Sequence, residues 1–307
     1  MGERFVVRFW GVRGSYPVPG PATVRVGGNT PCVEVEAGEH IILLDGGTGI
    51  IPAGQALLRR HRDQGRPLSA VILLSHTHHD HIQGMPYFAP AYVPTATLYV
   101  FGPRAVREQI SETLRRAMVP PNFPISVEDL RAVRVVRALA ETEAIWLLPG
   151  RQEPQVRNVF RDPPAGSEDG AVRVDVLKSY AHPQEGVYFY RIAYRGRAVV
   201  YATDTEGYQG GDRRLIHFAR GADLLIHDAQ YTAEEYLDPV ASKQGWGHST
   251  PEMALEVAQA AGVRRLAFFH HDPAHDDALL LDIEAQAQAK FPGAVVAREG
   301  LEFDLFT

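Results

Sequence analysis

Six short apolar runs recur along the chain and constrain its fold more than any other feature. They are IILL (41–44), AVILL (70–74), VRVDVL (172–177), AVVYAT (198–203), DLLI (223–226) and LAFF (266–269). Runs this short and this rich in Val, Ile, Leu and aromatic residues predict strands, several of them buried on both faces.

Stretches with helical spacing lie between and after these runs, at 53–65, 103–118 and 249–262. In the last stretch, Ser249 with Glu252 predicts a capping box and Gly262 predicts the end of the helix. This alternation predicts an α/β protein with helices over the faces of a mixed sheet.

Each apolar run leads within a few residues to histidine or aspartate: Asp45, His76, His182, Asp204, His227 with Asp228, and His270. A single such residue is usually a turn former or a cap. In an open α/β sheet, however, ligands gather at the strand ends. Six ionisable strand ends therefore predict that distant parts of the chain surround one pocket.

The densest group of ionisable residues is HTHHDH, at 76–81. His76 and His78 are two apart, so an extended segment would place them on the same side. Asp80 and His81 follow within one turn, which predicts two pairs of ligands side by side and hence two metal ions. Neutral imidazole and carboxylate suit Zn, Mn or Fe. The alternative, a surface turn rich in histidine, would be costly to form behind a buried strand.

Composition narrows the cellular setting. The single cysteine, Cys32, excludes an intramolecular disulfide and fits a reducing compartment. No stretch approaches the ~20 apolar residues of a membrane span. The first residues also lack the basic region followed by a long apolar stretch that is typical of a signal peptide. The net charge of -6 gives no global attraction for nucleic acid, although it allows a local basic groove. We therefore expect a cytoplasmic protein without membrane association.

The 76–81 segment resembles the HxHxDH signature of the metallo-β-lactamase superfamily, and Asp45, His182, Asp204 and His270 occur in the order of the family's other motifs. The resemblance implies a four-layer αβ/βα sandwich, in which two mixed sheets lie face to face with helices outside. It also implies a single domain over 1–307, with an insertion around 85–170 between the second and third metal motifs.

The resemblance further implies a ligand set. The first metal ion would be bound by His76, His78 and His182, the second by Asp80, His81 and His270, and Asp204 would bridge them. Asp45 would orient the ligand loop. His271 is the alternative to His270, and His79 is expected to face solvent or to lie behind the ligands. Zinc is the first choice of metal, with manganese or iron as alternatives.

Two further segments, HDAQYTAEE (227–235) and GHST (247–250), resemble segments of ribonuclease Z and related phosphodiesterases, including the phosphoribosyl cyclic phosphate phosphodiesterase. Asp228 stands where these relatives usually have glutamate. The resemblance implies that Asp80 orients a metal-bridging hydroxide, while an Asp228/His248 pair protonates the departing alkoxide.

The expected function is that of a dinuclear metal-dependent phosphodiesterase acting on a small cyclic or nucleotide phosphodiester. Alternatives are an acyl hydrolase of the lactonase or thioesterase type, a ribonuclease Z-like RNA endonuclease, and a metal-binding regulatory module without turnover. Relatives are often dimers, so a homodimer is one option for assembly.

The interval in which ribonuclease Z carries its RNA-gripping arm is 152–170 here. The arginines in and beside it are balanced by acidic residues: Arg151, Arg157 and Arg161 against Glu153, Asp162, Glu168 and Asp169. We therefore expect a mobile surface loop more than a short arm, which makes nucleic acid the less favoured substrate.

Overall fold

The described residues of the computed structural model are 4–65, 67–103, 110–162 and 170–307. In that part of the chain the first sheet has seven strands: β1 (Phe5–Gly11), β2 (Cys32–Ala37), β3 (His40–Leu44), β4 (Ser69–Leu73), β5 (Thr97–Pro103), β6 (Val133–Leu139) and β15 (Glu302–Asp304). Their order is β15-β1-β2-β3-β4-β5-β6. From β3 to β6 the neighbours are parallel, whereas β15, β1, β2 and β3 pair antiparallel.

The second sheet has eight strands: β7 (Glu143–Leu147), β8 (Gln155–Asn158), β9 (Val172–Ser179), β10 (Val187–Tyr194), β11 (Arg197–Ala202), β12 (Leu224–Asp228), β13 (Leu266–Phe269) and β14 (Ala294–Val296). Their order is β14-β13-β12-β11-β10-β9-β7-β8, with β11 to β14 parallel. Both sheets are therefore mixed, as the sequence predicts.

The helices are α1 (Ile50–Gln64), α2 (His79–Ile82), α3 (Ile110–Arg116), α4 (Arg213–Ala219), α5 (Ala233–Tyr236), α6 (Pro251–Ala261) and α7 (Asp277–Lys290). Apolar residues of α1 and α3 pack in one cluster with the outer face of the first sheet. The second sheet is covered by α6 and α7. None of the described helices has the length and apolar character that a bilayer crossing requires.

The main apolar core lies between the two sheets. Phe5, Val7 and Phe9 of β1 alternate inward, and they meet side chains of the second sheet such as Phe189 and Phe269. The ring centroids of Phe9 and Phe269 are 6.1 Å apart. This shared core fixes one sheet against the other, so residues at the ends of strands from both sheets can occupy one site.

All six predicted apolar runs are strands, namely β3, β4, β9, β11, β12 and β13. The helix predicted at 53–65 begins earlier, at Ile50. Of the helix predicted at 103–118, the structure describes Ile110–Arg116 as helical, and residues 104–109 lie outside the described part.

Two local expectations are corrected. The cap of α6 is Thr250 and not Ser249, since Pro251 takes the first helical position and Thr250 Oγ1 accepts from the Met253 N–H. Ser249 instead donates its hydroxyl to the Thr205 carbonyl. The predicted end of the helix at Gly262 is confirmed by its left-handed φ of 64°.

The second correction concerns the interval expected to be a surface loop. Gln155–Asn158 forms β8, which pairs antiparallel with β7 at the edge of the second sheet. The strand was missed because its sequence is polar, and each residue of β8 is only partly buried. Of the charges balanced above, Glu168 and Asp169 lie outside the described residues.

Replacing Phe9 by Ala should lower the free energy of unfolding by about 3–5 kcal/mol, since it leaves a cavity in the core between the sheets. Urea denaturation followed by circular dichroism measures the effect. Phe160→Ala is the matched control, because Phe160 is 82% exposed and its loss should change stability by about 0.5 kcal/mol or less. Equal denaturation midpoints for the two variants would contradict this description of the core.

Candidate metal centre

The ligand loop, residues 76–81, begins shortly after β4 ends at Leu73. His78 is the N-cap residue of the short helix α2, and this helix turns Asp80 and His81 back toward the end of the strand. His182 follows β9, Asp204 follows β11 and His270 follows β13. Residues from both sheets therefore meet at one edge of the sandwich, as the strand-end pattern predicts.

Three of these strand ends bend in the same way. Asp45, Asp204 and His270 have φ values of 62°, 53° and 63°, which lie in the left-handed region that residues other than Gly rarely adopt. Asp and His tolerate this conformation better than β-branched residues do. Such backbone strain is found mainly at functional sites, where surrounding contacts hold it in place.

The predicted ligands include two groups of three residues, and within each group the ligand atoms lie within 4.8 Å of one another. One group is His76, His78 and His182, and the other is Asp80, His81 and His270. Asp204 lies between them. Its Oδ1 is 3.6 Å from His76 Nε2 and 3.4 Å from His270 Nε2, and its Oδ2 is 3.2 Å from His81 Nε2. The Asp204 carboxylate can thus contact both groups.

The donor spacing fits metal ions. His182 Nε2 is 3.0 Å from His78 Nδ1, and His81 Nε2 is 3.2 Å from His270 Nε2. A tetrahedral ion with bonds of about 2.0–2.1 Å places its ligand atoms about 3.3–3.4 Å apart. Among the described residues, the buried His76 Nε2 has no hydrogen-bond partner. An unpartnered ring nitrogen within such a cluster is a group that a cation would satisfy.

The protonation states also suit metal binding. Burial, reinforced by neighbouring imidazoles, lowers the pKa of His76, His78 and His182, which keeps their rings neutral. Burial would raise the pKa of Asp204, but the surrounding imidazoles hold it well below its usual range. Neutral imidazole and ionised carboxylate are the forms that bind a cation.

His81 shows the excess of negative charge at the site. Burial opposes its protonation, yet Asp204, Asp80 and Asp45 raise its pKa well above the ordinary value. A cation beside His81 Nε2 would neutralise the same carboxylates. The residues present therefore fit a pair of divalent ions.

A second layer of contacts orients the imidazoles. His81 Nδ1–H donates to Asp45 (2.8 Å), His76 Nδ1–H to Ser75 Oγ (3.0 Å), His182 Nδ1–H to the Gly247 carbonyl (3.0 Å) and His270 Nδ1–H to Gln230 Oε1 (2.9 Å). Each contact leaves Nε2 directed at the cluster. Sequence reasoning named Asp45 but missed Ser75, Gly247 and Gln230. The HDAQ motif contains Gln230, so that motif was a usable signal.

The loop after β1 contacts two of the three members of the second group, Asp80 and His270. The Ser15 N–H donates to Asp80 Oδ2 at 2.8 Å. Gly14 lies against the His270 ring, where an added Cβ would come within 2.6 Å of Nδ1. Arg13 is fully buried and donates to the backbone carbonyls of Gly27, Asp272 and His275, which joins this loop to the segment after His270.

The predicted proton-donor pair lies beside the cluster. His248 Nδ1–H donates to Asp228 Oδ2 at 2.7 Å, and Asp228 also accepts from the Ser249 N–H at 2.8 Å. The His248 ring stacks on His270 with centroids 4.9 Å apart. Burial lowers its pKa, but Asp228 and then the more distant carboxylates outweigh burial and raise the pKa to about 8.

The neighbouring histidines face elsewhere. His271 Nε2–H donates to the Ala297 carbonyl at 2.9 Å, and its pKa falls to about 3 because it is buried and close to Arg13. His79 is exposed. This geometry favours His270 as the ligand, and its role stays a prediction.

A cavity of about 450 Å³ opens beside His76 and His78. Thr77 and Lys178 line it, together with Pro183 from the loop after His182. A cavity of this volume can receive a small ligand. The described lining residues place this cavity next to the first group of histidines.

Three comparisons bear on identity. Residues 40–271 match the family model of the beta-lactamase superfamily domain. A ribonuclease Z from Thermoplasma acidophilum is 25% identical over 325 residues, covering 99% of this chain and 98% of that protein.

Two solved structures share the fold. The metallo-beta-lactamase fold protein YhfI from Bacillus subtilis aligns with a TM-score of 0.65 at 19% identity, covering 98% of this chain and 100% of that one. A diphosphatase from the PhnP family aligns with a TM-score of 0.60 at 16% identity, covering 98% of each chain. The resemblance inferred from the sequence is confirmed: this chain has the metallo-β-lactamase fold and belongs to the beta-lactamase superfamily.

Proposed function

We propose that this protein is a dinuclear metal-dependent phosphodiesterase that hydrolyses a small cyclic or nucleotide phosphodiester. The observation that carries the proposal is the buried Asp228/His248 pair, which lies against the candidate metal centre. Hydrolysis of a phosphodiester breaks a P–O bond and releases an alkoxide, a poor leaving group that benefits from a positioned proton donor.

The residues that would hold the two ions are His76, His78 and His182 for the first, Asp80, His81 and His270 for the second, and Asp204 for both. When bound, a pair of divalent cations supplies an activated water as nucleophile and offsets the charge of the phosphoryl oxygens. Zinc remains the first choice, because His and carboxylate ligands at these spacings suit it, and manganese or iron are alternatives.

The chain's own residues would orient the nucleophile and move the proton. Asp80, whose Oδ2 accepts a hydrogen bond from the Ser15 N–H, would accept a hydrogen bond from the attacking water. His248 uses Nδ1–H to bind Asp228, so Nε2 remains available to the substrate. With a pKa of about 8, the ring is largely protonated at neutral pH and can give its proton to the departing oxygen.

The comparisons support chemistry at phosphorus. The relative named ribonuclease Z and the neighbour named as a diphosphatase both carry names of enzymes that cleave phosphorus–oxygen bonds. An RNA endonuclease is the second candidate, since the ribonuclease Z from Thermoplasma acidophilum matches over nearly its full length. We place it second because the arginines of the 152–170 interval are offset by acidic residues.

Protein purified without added metal and then equilibrated with zinc should contain about two ions per chain. It should hydrolyse bis-p-nitrophenyl phosphate and cyclic phosphodiesters in preference to a lactone or a thioester. Elemental analysis and a substrate panel measure both. His270→Ala should retain about one ion, since the first group of histidines is intact.

Fewer than about two ions in the native protein would contradict the dinuclear site, and preference for the thioester or lactone would favour an acyl hydrolase. Metal-replete protein inert toward every substrate would favour a regulatory module.

His248→Ala should lower kcat on an alkyl phosphodiester by about 10²–10⁴-fold, because it removes the proton donor. The same variant should lose much less on bis-p-nitrophenyl phosphate, whose leaving group needs no proton. Steady-state kinetics and metal analysis on one preparation measure both effects. His79→Ala, which alters an exposed histidine of the ligand loop, is the matched control. Unchanged kcat on the alkyl substrate in His248→Ala would remove the proton-donor role.

The rate should fall as the pH rises through the pKa of His248, since the protonated ring is the active form. Asp228→Asn should shift this alkaline limb to lower pH, because the carboxylate that raises the pKa is lost. The pH dependence of kcat, compared between wild type and the variant, tests this. An alkaline limb at the same pH in both proteins would show that another group controls it.

A further inference from the structure

Two lysines beside the candidate metal centre lie over exposed aromatic rings. The chain has three lysines, Lys178, Lys243 and Lys290, among 31 basic residues. Lys178 Nζ is 4.9 Å from the centroid of the Tyr180 ring, and Lys243 Nζ is 4.5 Å from that of Trp246. Tyr180 is nonetheless 69% exposed and Trp246 57% exposed. Most of each aromatic side chain is therefore open to a ligand with the lysine in place.

Both pairs adjoin His182. Tyr180 precedes His182 by two residues, and Lys178 lines the cavity beside His76 and His78. Trp246 immediately precedes Gly247, whose carbonyl accepts the hydrogen bond from His182 Nδ1–H. The two lysine–aromatic pairs thus border the candidate metal centre.

The backbone around Trp246 is fixed. Glu206 accepts hydrogen bonds from the Gly245 N–H at 2.7 Å and from the Gly247 N–H at 2.9 Å, on either side of Trp246. The hydroxyl of Tyr236 donates to the same carboxylate at 2.6 Å. An aromatic ring that is exposed on a fixed backbone is arranged in advance for contact with a ligand.

Lys243 also connects this pair to the proton donor. Its Nζ lies 5.7 Å from the centroid of Tyr231, and the Tyr231 ring packs edge-on against His248 with centroids 5.8 Å apart. A group bound on Trp246 would therefore lie on the side of the site where the leaving oxygen receives its proton.

We propose that Trp246 with Lys243, assisted by Tyr180 with Lys178, forms a stacking subsite for a nucleobase next to the scissile phosphate. Aromatic rings stack on any nucleobase, and an adjacent ammonium group complements the negative charge of a phosphate. The substrate class is then a base-bearing phosphodiester, whereas a sugar phosphate without a base would gain nothing from the rings. This inference rests on the proposed function, because it names the substrate of the same site.

The kinetic test compares adenosine 2′,3′-cyclic phosphate with the cyclic phosphate of ribose alone. Wild-type protein should favour the base-bearing substrate through its KM, and Trp246→Ala should raise that KM by about tenfold. Trp246→Phe should retain most of the affinity, because it keeps an aromatic face. KM for the base-free substrate should be the same in all three proteins. Phe160→Ala, which removes an exposed aromatic residue away from the metal centre, is the control and should change neither KM.

A binding test requires no turnover. Adenosine monophosphate should quench the fluorescence of wild-type protein by stacking on Trp246, and ribose 5-phosphate should not. Trp246→Phe should lose the quenching, because the remaining tryptophans, Trp10 and Trp146, lie elsewhere and Trp146 is buried. If phosphodiesters are hydrolysed but the two cyclic substrates have equal kcat/KM and quenching is absent, the subsite is disproved and the proposed function stands. If no phosphodiester is hydrolysed, the proposed function fails, and the quenching result still decides whether a base binds here.

Discussion

The buried carboxylate of Asp45 joins the two sheets directly behind the candidate metal centre. It follows β3 of the first sheet and accepts hydrogen bonds from the Ser75 N–H, the Ser75 hydroxyl and His81 Nδ1–H. A fourth donor is the Tyr201 hydroxyl, at 2.7 Å, from β11 of the second sheet. A fully buried charge is tolerated only when its hydrogen bonds are satisfied, so the relative position of the sheets and the orientation of the His81 ring depend on one another.

Three strand ends at the candidate metal centre have a strained backbone. Asp45, Asp204 and His270 each adopt a positive φ at the point where a buried strand ends, which turns the side chain into the site. Contacts from other segments hold these conformations, such as Gly14 against the His270 ring. Tight packing around the candidate ligands holds the strained backbone in place and keeps the imidazole and carboxylate groups close, even though the carboxylates repel one another.

The groups that make up the proposed site differ in position. Six of the seven candidate ligands are buried and His78 is exposed, and the Asp228/His248 pair lies beside them. The lysine–aromatic pairs lie nearer solvent, around His182. A metal centre shared across a superfamily can serve many reactions. We therefore propose that the residues around the candidate ligands, above all His248 and Trp246, decide which reaction this chain performs.

Much of the fold and of the site is encoded locally and could be predicted from the sequence. Short apolar runs predicted six strands, and the residues that follow them predicted which side chains would meet, because strand direction fixes where each strand ends. The edge strand β8 and the Thr250 cap were not predicted, since partial burial and the neighbouring Pro251 decide them.

Most hydrogen-bond partners of the candidate ligands are decided by the tertiary structure. Tyr201 lies 156 residues from Asp45, and Gln230 lies 40 residues from His270. No spacing rule links such positions, because their contact exists only once the shared core has packed the two sheets face to face. The sequence by itself determined the family, six of the strands and the chemistry of the candidate ligands. The tertiary structure decided which nitrogen of each histidine faces the candidate metal centre, how the proposed proton donor is held, and which aromatic rings remain exposed, since each of these depends on contacts between distant segments.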